Sequence, residues 1–155
     1  LARRTVDLLR PLASKKSIAL TLQPSDVRAV APVDSTQIEQ AMGNLIMNAV
    51  QAIRDQGEVR VSVQTEHLSV SKSADRTAGD YVVLRVEDNG TGIATEHLSR
   101  IFEPFFTTQR AGEGTGLGLS ITNEIITDHG GFIEVESEQW KGSRFAVYLP
   151  KGASV

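Results

Sequence analysis

One long amphipathic pattern between residues 38 and 53 constrains the fold of this chain more than any other feature. Its apolar residues recur at the spacing of a helical face and are Ile38, Ala41, Met42, Leu45, Ile46, Ala49, Val50 and Ile53. Asp34 and Gln37 offer a capping box before this helix, and Gly57 is its expected end. A helix with such a continuous apolar stripe must bury it against another layer.

Alternating apolar and polar residues predict that this other layer is a sheet. The candidate strands are residues 18–23, 58–65, 81–87, 131–137 and 143–150. Two further helices are expected, a short one at 96–101 and a longer one at about 117–128. Because helices and strands are mixed and several strands follow one another through hairpin-type turns, the pattern predicts an α+β sandwich with one helical layer on one sheet. It favours this fold over a doubly wound parallel sheet.

The first 17 residues predict a separate helical piece. Its apolar residues are Val6, Leu8, Leu9 and Leu12. Pro11 is expected to stop or bend the helix because proline has no backbone N–H to donate. We interpret residues 1–17 as a connector, residues 18–150 as the folded domain and residues 151–155 as a tail. A start at Leu1 rather than methionine favours a fragment of a longer protein.

Charge and composition exclude several classes of function. The formal net charge is −3 with scattered basic residues, so no nucleic-acid partner is expected. The chain has no cysteine, which excludes a disulfide framework and a thiolate metal site. No apolar run approaches the length of a bilayer span, so we expect no direct membrane contact and a cytoplasmic location, although a longer parent protein could be membrane-anchored.

Three polar motifs are candidates for a binding site. Asn44 and Asn48 share one helical face with Gln51, although polar surface would explain them equally well. The stretch VEDNGTGI ends a strand at Asp88, where its glycines permit either a close approach to a ligand or a simple turn. The stretch GEGTGLGLS at 112–120 precedes a helix, so its backbone N–H groups could surround phosphate oxygens, or it could be a flexible loop. It matches neither a P-loop nor a dinucleotide fingerprint.

In this order, the motifs resemble the catalytic, ATP-binding domain of sensor histidine kinases. QIEQAMGNLIMNAVQAI resembles the N box of that family, VEDNGTGI the G1 box, IFEPFF the F box and GTGLGLS the G2 box. The resemblance covers residues 18–150 and includes a terminal hairpin. It implies the Bergerat-type two-layer sandwich of the GHKL superfamily, with a mixed, mostly antiparallel sheet, about three helices on one face and a mobile ATP lid.

The resemblance also implies residue roles and the cofactors ATP and Mg²⁺. Asn48 matches the asparagine that binds the metal, Asn44 the helper one turn earlier, and Asp88 the aspartate that accepts a hydrogen bond from the adenine amino group. Arg110 is a possible phosphate contact. The other expected nucleotide contacts are Gln51, Ala52, Gly90, Gly92, Ile93, Phe105, Thr107, Thr108, Gly114, Thr115, Gly116, Leu117, Gly118, Leu119 and Ser143.

Within this set, residues 107–113 would form the lid, and the glycines at 114, 116 and 118 would cradle the phosphates. The phenylalanines of the F box, at positions 102, 105 and 106, would pack at the base of the lid, and they also suit a plain apolar core. Two departures from the family pattern are Gln51, which brings no positive charge, and Ala52, which cannot stack on adenine. They resemble a subgroup of nitrogen-regulation sensor kinases.

The chain lacks a matching phosphoacceptor. His67, His97 and His129 are not followed by the acidic residue that the family places after its acceptor. The resemblance therefore implies a catalytic module that binds MgATP and transfers the γ-phosphoryl group to a histidine on a separate dimerisation hairpin, from which a response regulator would receive it. The parent would be a homodimer and the isolated fragment a monomer. The alternatives are an ATP-operated conformational module of the gyrase or chaperone type, and a degenerate domain that binds only a partner.

Overall fold

The computed structural model describes residues 1–25, 28–69, 76–108 and 114–152. Its elements are α1 (Ala2–Lys15), β1 (Ile18–Leu22), α2 (Ser35–Ala52), β2 (Gly57–Leu68), β3 (Gly79–Asp88), a 3₁₀ turn (Thr95–His97), α3 (Gly118–Asp128), β4 (Phe132–Glu138) and β5 (Gly142–Pro150). No helix within these ranges is long and apolar enough to cross a membrane.

The sheet has five strands in the order β1-β2-β3-β5-β4. β1 and β2 run parallel, and every other neighbouring pair is antiparallel. The main core lies between one face of the sheet and the three helices, and buries Leu45 and Ile46 of α2 against strand residues such as Val59 and Phe145. The predicted α+β sandwich, with a mostly antiparallel sheet and one helical layer, is confirmed.

α2 begins as its sequence predicts and ends earlier. The Asp34 side chain caps it by accepting a hydrogen bond from the Gln37 amide. Its last residue is Ala52, and Ile53 then takes an extended backbone and buries its side chain in the core. The prediction that Gly57 ends this helix is therefore wrong: Gly57 begins β2, opposite Ile18 of β1.

α1 also departs from its local sequence signal. The helix does not stop at Pro11 and continues to Lys15. Val6 and Ala13 are fully buried in the core, whereas the side chains of Leu8 and Leu12 are exposed. Burial of this face of the helix therefore holds it together across the proline, which removes only one backbone hydrogen bond. The interpretation of residues 1–17 as a connector stays a prediction.

The short helix predicted at residues 96–101 is only a 3₁₀ turn. The backbone amides of His97, Arg100 and Glu103 each donate to the carbonyl three residues earlier, so the segment is a series of tight turns. It ends at Phe105, which takes a left-handed conformation with φ 66°. These turns bring residues 101–108 to the start of α3.

Candidate functional site

A cavity of about 960 Å³ lies between α2, the loop after β3, residues 101–108 and the start of α3. Predicted site residues form most of its wall: Asn44, Asn48, Gln51, Ala52, Asp88, Gly92, Ile93, Thr107, Thr108, Gly114, Thr115, Gly116, Gly118, Leu119 and Ser143. Gly90, Phe105 and Leu117 do not line it. Arg110 and the rest of the predicted lid, residues 109–113, lie outside the described residues.

Asp88 sits at one end of the cavity, where β3 finishes. The antiparallel register of β3 and β5 places it opposite Ser143. The Gly90 amide donates to Asp88 Oδ1 at 2.9 Å, so Gly90 holds the carboxylate from outside the cavity. Burial raises the pKa of Asp88 above its ordinary value, and hydrogen bonds from the backbone of Gly90 and Ser143 partly oppose this. The site therefore contains a partly desolvated, backbone-oriented acceptor.

Ser143 belongs to a small polar network beside Asp88. Its hydroxyl lies 2.8 Å from the hydroxyl of Ser137, to which the Ile93 amide donates at 2.7 Å. The Ser137 hydroxyl also bonds the Gly142 carbonyl at 3.0 Å. These contacts connect the loop after β3 to the β4–β5 hairpin. Residues of the sheet therefore supply the polar groups at the Asp88 end of the cavity.

The loop of residues 90–92 is held from both sides. The Thr91 amide donates to the Ala52 carbonyl at 2.9 Å, and the Thr91 carbonyl accepts from the Trp140 amide. Gly92 has φ 67°, and a Cβ there would lie 2.1 Å from the Glu138 carbonyl oxygen. Only glycine fits this conformation and this approach. The loop is thereby fixed between the end of α2 and the β4–β5 turn.

The two asparagines of α2 have different surroundings. The Asn44 amide donates to the Gly118 carbonyl at 3.2 Å and to the Thr122 hydroxyl at 3.3 Å, both in α3. Asn48 lies one turn later on the same face and lines the cavity. Asn44 therefore positions the start of α3, while Asn48 presents an amide to the cavity.

The glycine-rich segment forms the other end of the cavity. Gly116 has φ 70°, and a Cβ there would lie 2.5 Å from the Phe105 carbonyl carbon. Its carbonyl accepts from the Phe105 amide at 2.9 Å. α3 begins at Gly118 without a side-chain cap from Leu117. Within the described residues no side chain caps these first amides of α3, so they could donate to an anion, which the positive end of the helix dipole would favour.

The three phenylalanines of the predicted F box have different environments. Phe102 and Phe106 pack against the main core, and Phe106 also lines the cavity. Phe105 is 74% exposed, so the plain core interpretation is wrong for this residue. Its backbone, rather than its ring, contacts the site through Gly116.

Five residues of the cavity wall are not among the predicted nucleotide contacts: Met47, Arg54, Thr91, Ile101 and Phe106, the last of which is expected only at the base of the lid. Helical spacing could have identified Met47, which lies three residues after Asn44 on the same face. Thr91 lies between two predicted glycines, and Phe106 follows Phe105. Nothing in the sequence pattern singles out Arg54.

The histidines are engaged elsewhere. His67 Nδ1 lies 2.7 Å from the Asp80 carboxylate, and the ring of His97 packs against Phe106. His129 Nε2 accepts from the Asp34 amide at 3.1 Å, while its Nδ1 lies 2.7 Å from the Ile125 carbonyl. In the part of the chain that the structure describes, no three histidine, aspartate or glutamate side chains form a metal cluster.

Comparison with known families gives a match over most of the chain. The family model described as "Histidine kinase-, DNA gyrase B-, and HSP90-like ATPase" matches residues 33–153. Sensor kinase CckA of Brucella abortus is 39% identical over 94% of this chain and 17% of its own length. Sensor histidine kinase ZraS of Escherichia coli is 35% identical over 97% of this chain and 29% of its own. The chain thus spans less than a third of these relatives.

Solved structures agree with this match. The nucleotide-free catalytic domain of histidine kinase ThkA is 31% identical, with a TM-score of 0.77 over 96% of this chain and 89% of that domain. Full-length ShkA in complex with AMPPNP is 27% identical, with a TM-score of 0.72 over 99% of this chain and 30% of that protein. The similarity to a nitrogen-regulation subgroup stays a prediction.

Proposed function

Because the chain belongs to the family of histidine kinase-, DNA gyrase B- and HSP90-like ATPases, we propose that the cavity binds MgATP and serves phosphoryl transfer to a protein histidine. The observation that supports an adenine nucleotide is the Asp88 carboxylate. It is a partly buried acceptor held by a backbone amide. An adenine amino group could donate to it, whereas the guanine carbonyl would face it without a hydrogen bond, at a cost of about 1–3 kcal/mol.

The phosphates would lie at the glycine-rich end. Gly114, Gly116 and Gly118 border the cavity there. The start of α3 has no side-chain cap from Leu117 and would offer backbone amides and a positive dipole. Gln51 can add a neutral hydrogen bond. Arg110 would be a possible further phosphate contact. Residues 107–113 would close over the bound nucleotide as a lid.

Asn48 would hold Mg²⁺ together with the phosphates. A protein cage is not required, because Mg²⁺ usually keeps several waters and takes one or two protein ligands plus substrate phosphates. An amide oxygen that faces the cavity suits such an ion. When bound, Mg²⁺ neutralises charge on the phosphates. The chain's own contribution is to orient the nucleotide through Asn48, Asp88 and the backbone amides of α3.

The nucleophile would come from another domain. None of the three histidines lines the cavity, and His67, His97 and His129 each have a structural partner. We propose that the acceptor is a histidine on a helical hairpin of a homodimeric parent kinase, which passes the phosphoryl group to a response regulator. Use of MgATP is consistent with a cytoplasmic location.

A hydrolytic clamp is the main alternative. Gyrase- and chaperone-type members would need a catalytic glutamate at the position of Asn44 to activate water. Asn44 has no carboxylate, and its amide donates to α3. This arrangement supports transfer over hydrolysis. A degenerate domain would instead fail to bind nucleotide.

A calorimetric titration tests the proposal. ADP and a non-hydrolysable ATP analogue should bind more tightly with Mg²⁺ than without it, and GTP should bind far more weakly. Asp88→Asn should weaken ADP binding by about 5- to 100-fold, because its amide must turn to keep an acceptor towards the base. Asn48→Asp should impair Mg²⁺-dependent phosphoryl transfer more than it weakens the binding of nucleotide alone. No binding at millimolar nucleotide would favour the degenerate alternative.

A separate assay tests the transfer step. The parent's acceptor hairpin, supplied in trans, should gain acid-labile phosphate from ATP only when the wild-type chain is present. Slow release of inorganic phosphate without any hairpin modification would instead support the hydrolytic clamp. Sedimentation at several concentrations should show a monomer for the isolated chain.

A further inference from the structure

Arg54 is a charged residue of the cavity wall that the proposed function does not use. It lies two residues beyond the end of α2, and lines the cavity together with Ala52, Asp88 and Thr91. The Thr91–Ala52 hydrogen bond fixes this segment to the Asp88 end. Arg54 is therefore close to the place proposed for the adenine base. It is distant in sequence from the glycine-rich segment.

The Arg54 guanidinium has an aromatic partner. Its central carbon lies 5.3 Å from the centroid of the Trp140 ring, within the range of a cation–π contact. Trp140 is in the β4–β5 turn, where its side chain is 65% exposed and its backbone has φ 68°. A bulky residue in this left-handed conformation is strained, and such strain concentrates at functional sites. Its amide donates to the Thr91 carbonyl, which fixes the Trp140 backbone next to the loop after β3.

We infer that Arg54, held by Trp140, forms the outer wall of the base pocket and stacks on the purine of the bound nucleotide. Ala52 is too small to cover that side of the pocket. A guanidinium is flat and weakly hydrated, so it can stack on one aromatic face while it packs against another. Trp140 acts through Arg54 as a positioning residue. This inference rests on the proposed nucleotide site and adds a specific residue to it.

The first test compares nucleotide affinities by calorimetry. Arg54→Ala should weaken ADP by about 3- to 10-fold, the range of an exposed to partly desolvated cation–π contact. AMP should lose the same factor, because the contact is to the base and not to the β-phosphate. Arg54→Lys should recover only part of the loss, since an ammonium keeps the charge but not the plane. Arg3→Ala, which removes an exposed charge outside the cavity, is the matched control and should have no effect.

The second test uses fluorescence, because Trp140 is the only tryptophan of the chain. ADP should change its emission in wild type with the same midpoint as the calorimetric titration. In Arg54→Ala, ADP at saturating concentration should produce a smaller change. Trp140→Phe should keep most of the ADP affinity, since a ring still supports Arg54, whereas Trp140→Ala should lose affinity about as much as Arg54→Ala.

The outcomes separate the two proposals. If wild type binds ADP, but Arg54→Ala binds it equally well and the emission does not move, the stacking role is wrong while the nucleotide site stands. A loss for ADP that is absent for AMP would place Arg54 on the phosphates and would also overturn it. No ADP binding by wild type would contradict the proposed function, and this inference with it.

Discussion

The two ends of the cavity are built differently. At the Asp88 end, backbone segments from α2, β3 and the β4–β5 turn meet directly, and Thr91 bonds both neighbours. At the glycine-rich end, the described contacts are a backbone hydrogen bond from Phe105 to Gly116 and the side-chain hydrogen bonds of Asn44 in α2 to Gly118 and Thr122 in α3. Among the described residues, backbone hydrogen bonds therefore join more segments at the Asp88 end than at the glycine-rich end.

This difference suggests a division of labour. A base-recognition end that is fixed by the sheet can be selective without rearrangement, since its acceptor is already oriented. Among the described residues, the phosphate end has fewer backbone hydrogen bonds between segments, and local opening costs less where fewer interactions are broken, so this end can adjust when nucleotide binds or leaves. If this division holds, substitutions at the Asp88 end should mainly lower the free energy of unfolding, and substitutions at the glycine-rich end should mainly lower nucleotide affinity.

Replacing Gly92 or Gly116 by alanine should show the largest difference between the two ends of the cavity. In Gly92→Ala, the new Cβ would meet the Glu138 carbonyl oxygen at 2.1 Å. We expect a loss of about 3 kcal/mol in the free energy of unfolding, together with loss of ADP binding. In Gly116→Ala, the new Cβ would lie 2.5 Å from the Phe105 backbone. We expect the free energy of unfolding to fall by only about 1 kcal/mol, but ADP binding to be abolished. Urea denaturation and calorimetry measure both; equal losses of stability would remove the distinction.

Substitutions of the two asparagines of α2 should have smaller effects than those of the glycines. Asn44→Ala should affect stability, and Asn48→Ala should affect nucleotide affinity. Asn44→Ala removes the amide that bonds Gly118 and Thr122, so the free energy of unfolding should fall by about 1 kcal/mol. Asn48→Ala should leave stability nearly unchanged and remove the gain in ADP affinity that Mg²⁺ provides. Thermal melts with and without MgADP compare them. If Asn48→Ala destabilises the free protein as much as Asn44→Ala, Asn48 is structural.

Two helical glycines provide a finer comparison. A Cβ at Gly43 meets nothing within 4 Å, so Gly43→Ala should stabilise α2 by about 0.5–1 kcal/mol without changing nucleotide affinity. Among the described residues, a Cβ at Gly118 reaches only Asn44, at 3.9 Å, so Gly118→Ala should not harm folding. Gly118→Ala should still weaken ADP binding, because the phosphates are proposed to approach the start of α3. Unchanged ADP affinity would move the phosphates away from Gly118.

The pH dependence of Asp88 should be the smallest effect. Burial raises its pKa above the ordinary 3.8, so the folded state binds this proton more tightly than the unfolded state. As pH falls from above the raised pKa towards 3.8, wild type should gain stability relative to Asp88→Asn, with no further gain below. ADP affinity should fall over the same range, because the acceptor becomes protonated. Parallel titrations of both proteins cancel protonation of adenine itself. Identical pH profiles would mean that Asp88 does not contact the base.

The fold was largely predictable because its signals are local. The apolar face of α2 and the alternation of the strands follow from side-chain periodicity, which one sequence displays. The prediction that Gly57 ends α2 and the expectation that Pro11 could stop α1 were wrong because tertiary burial overrode local rules, whereas a bend at Pro11 stays a prediction. Val6 and Ala13 bury the face of α1 on both sides of the proline, and Ile53 enters the core before the glycine is reached.

The site was predictable where its residues belong to recognisable motifs. Asn44 and Asn48 lie on one helical face, and Asp88 ends a strand, so spacing and resemblance identified them. Their chemical roles stay predictions. Arg54 and Trp140 were not identified, because their contact joins the end of α2 to the β4–β5 turn. Such a pairing depends on the assembled fold and leaves no pattern along the chain.

The register of β3 and β5 also determines where the chain could tolerate insertions. Asp88 faces Ser143 across the ladder. Because side chains alternate with a period of two, a slip of one residue would bring Arg144 opposite Asp88 and reverse the faces of β5. A lengthened β4–β5 turn would risk this slip, whereas the connection between Leu68 and Gly79 lies at the far end of β3. Length variation among relatives should therefore accumulate in the β2–β3 connection and be rare in the β4–β5 turn.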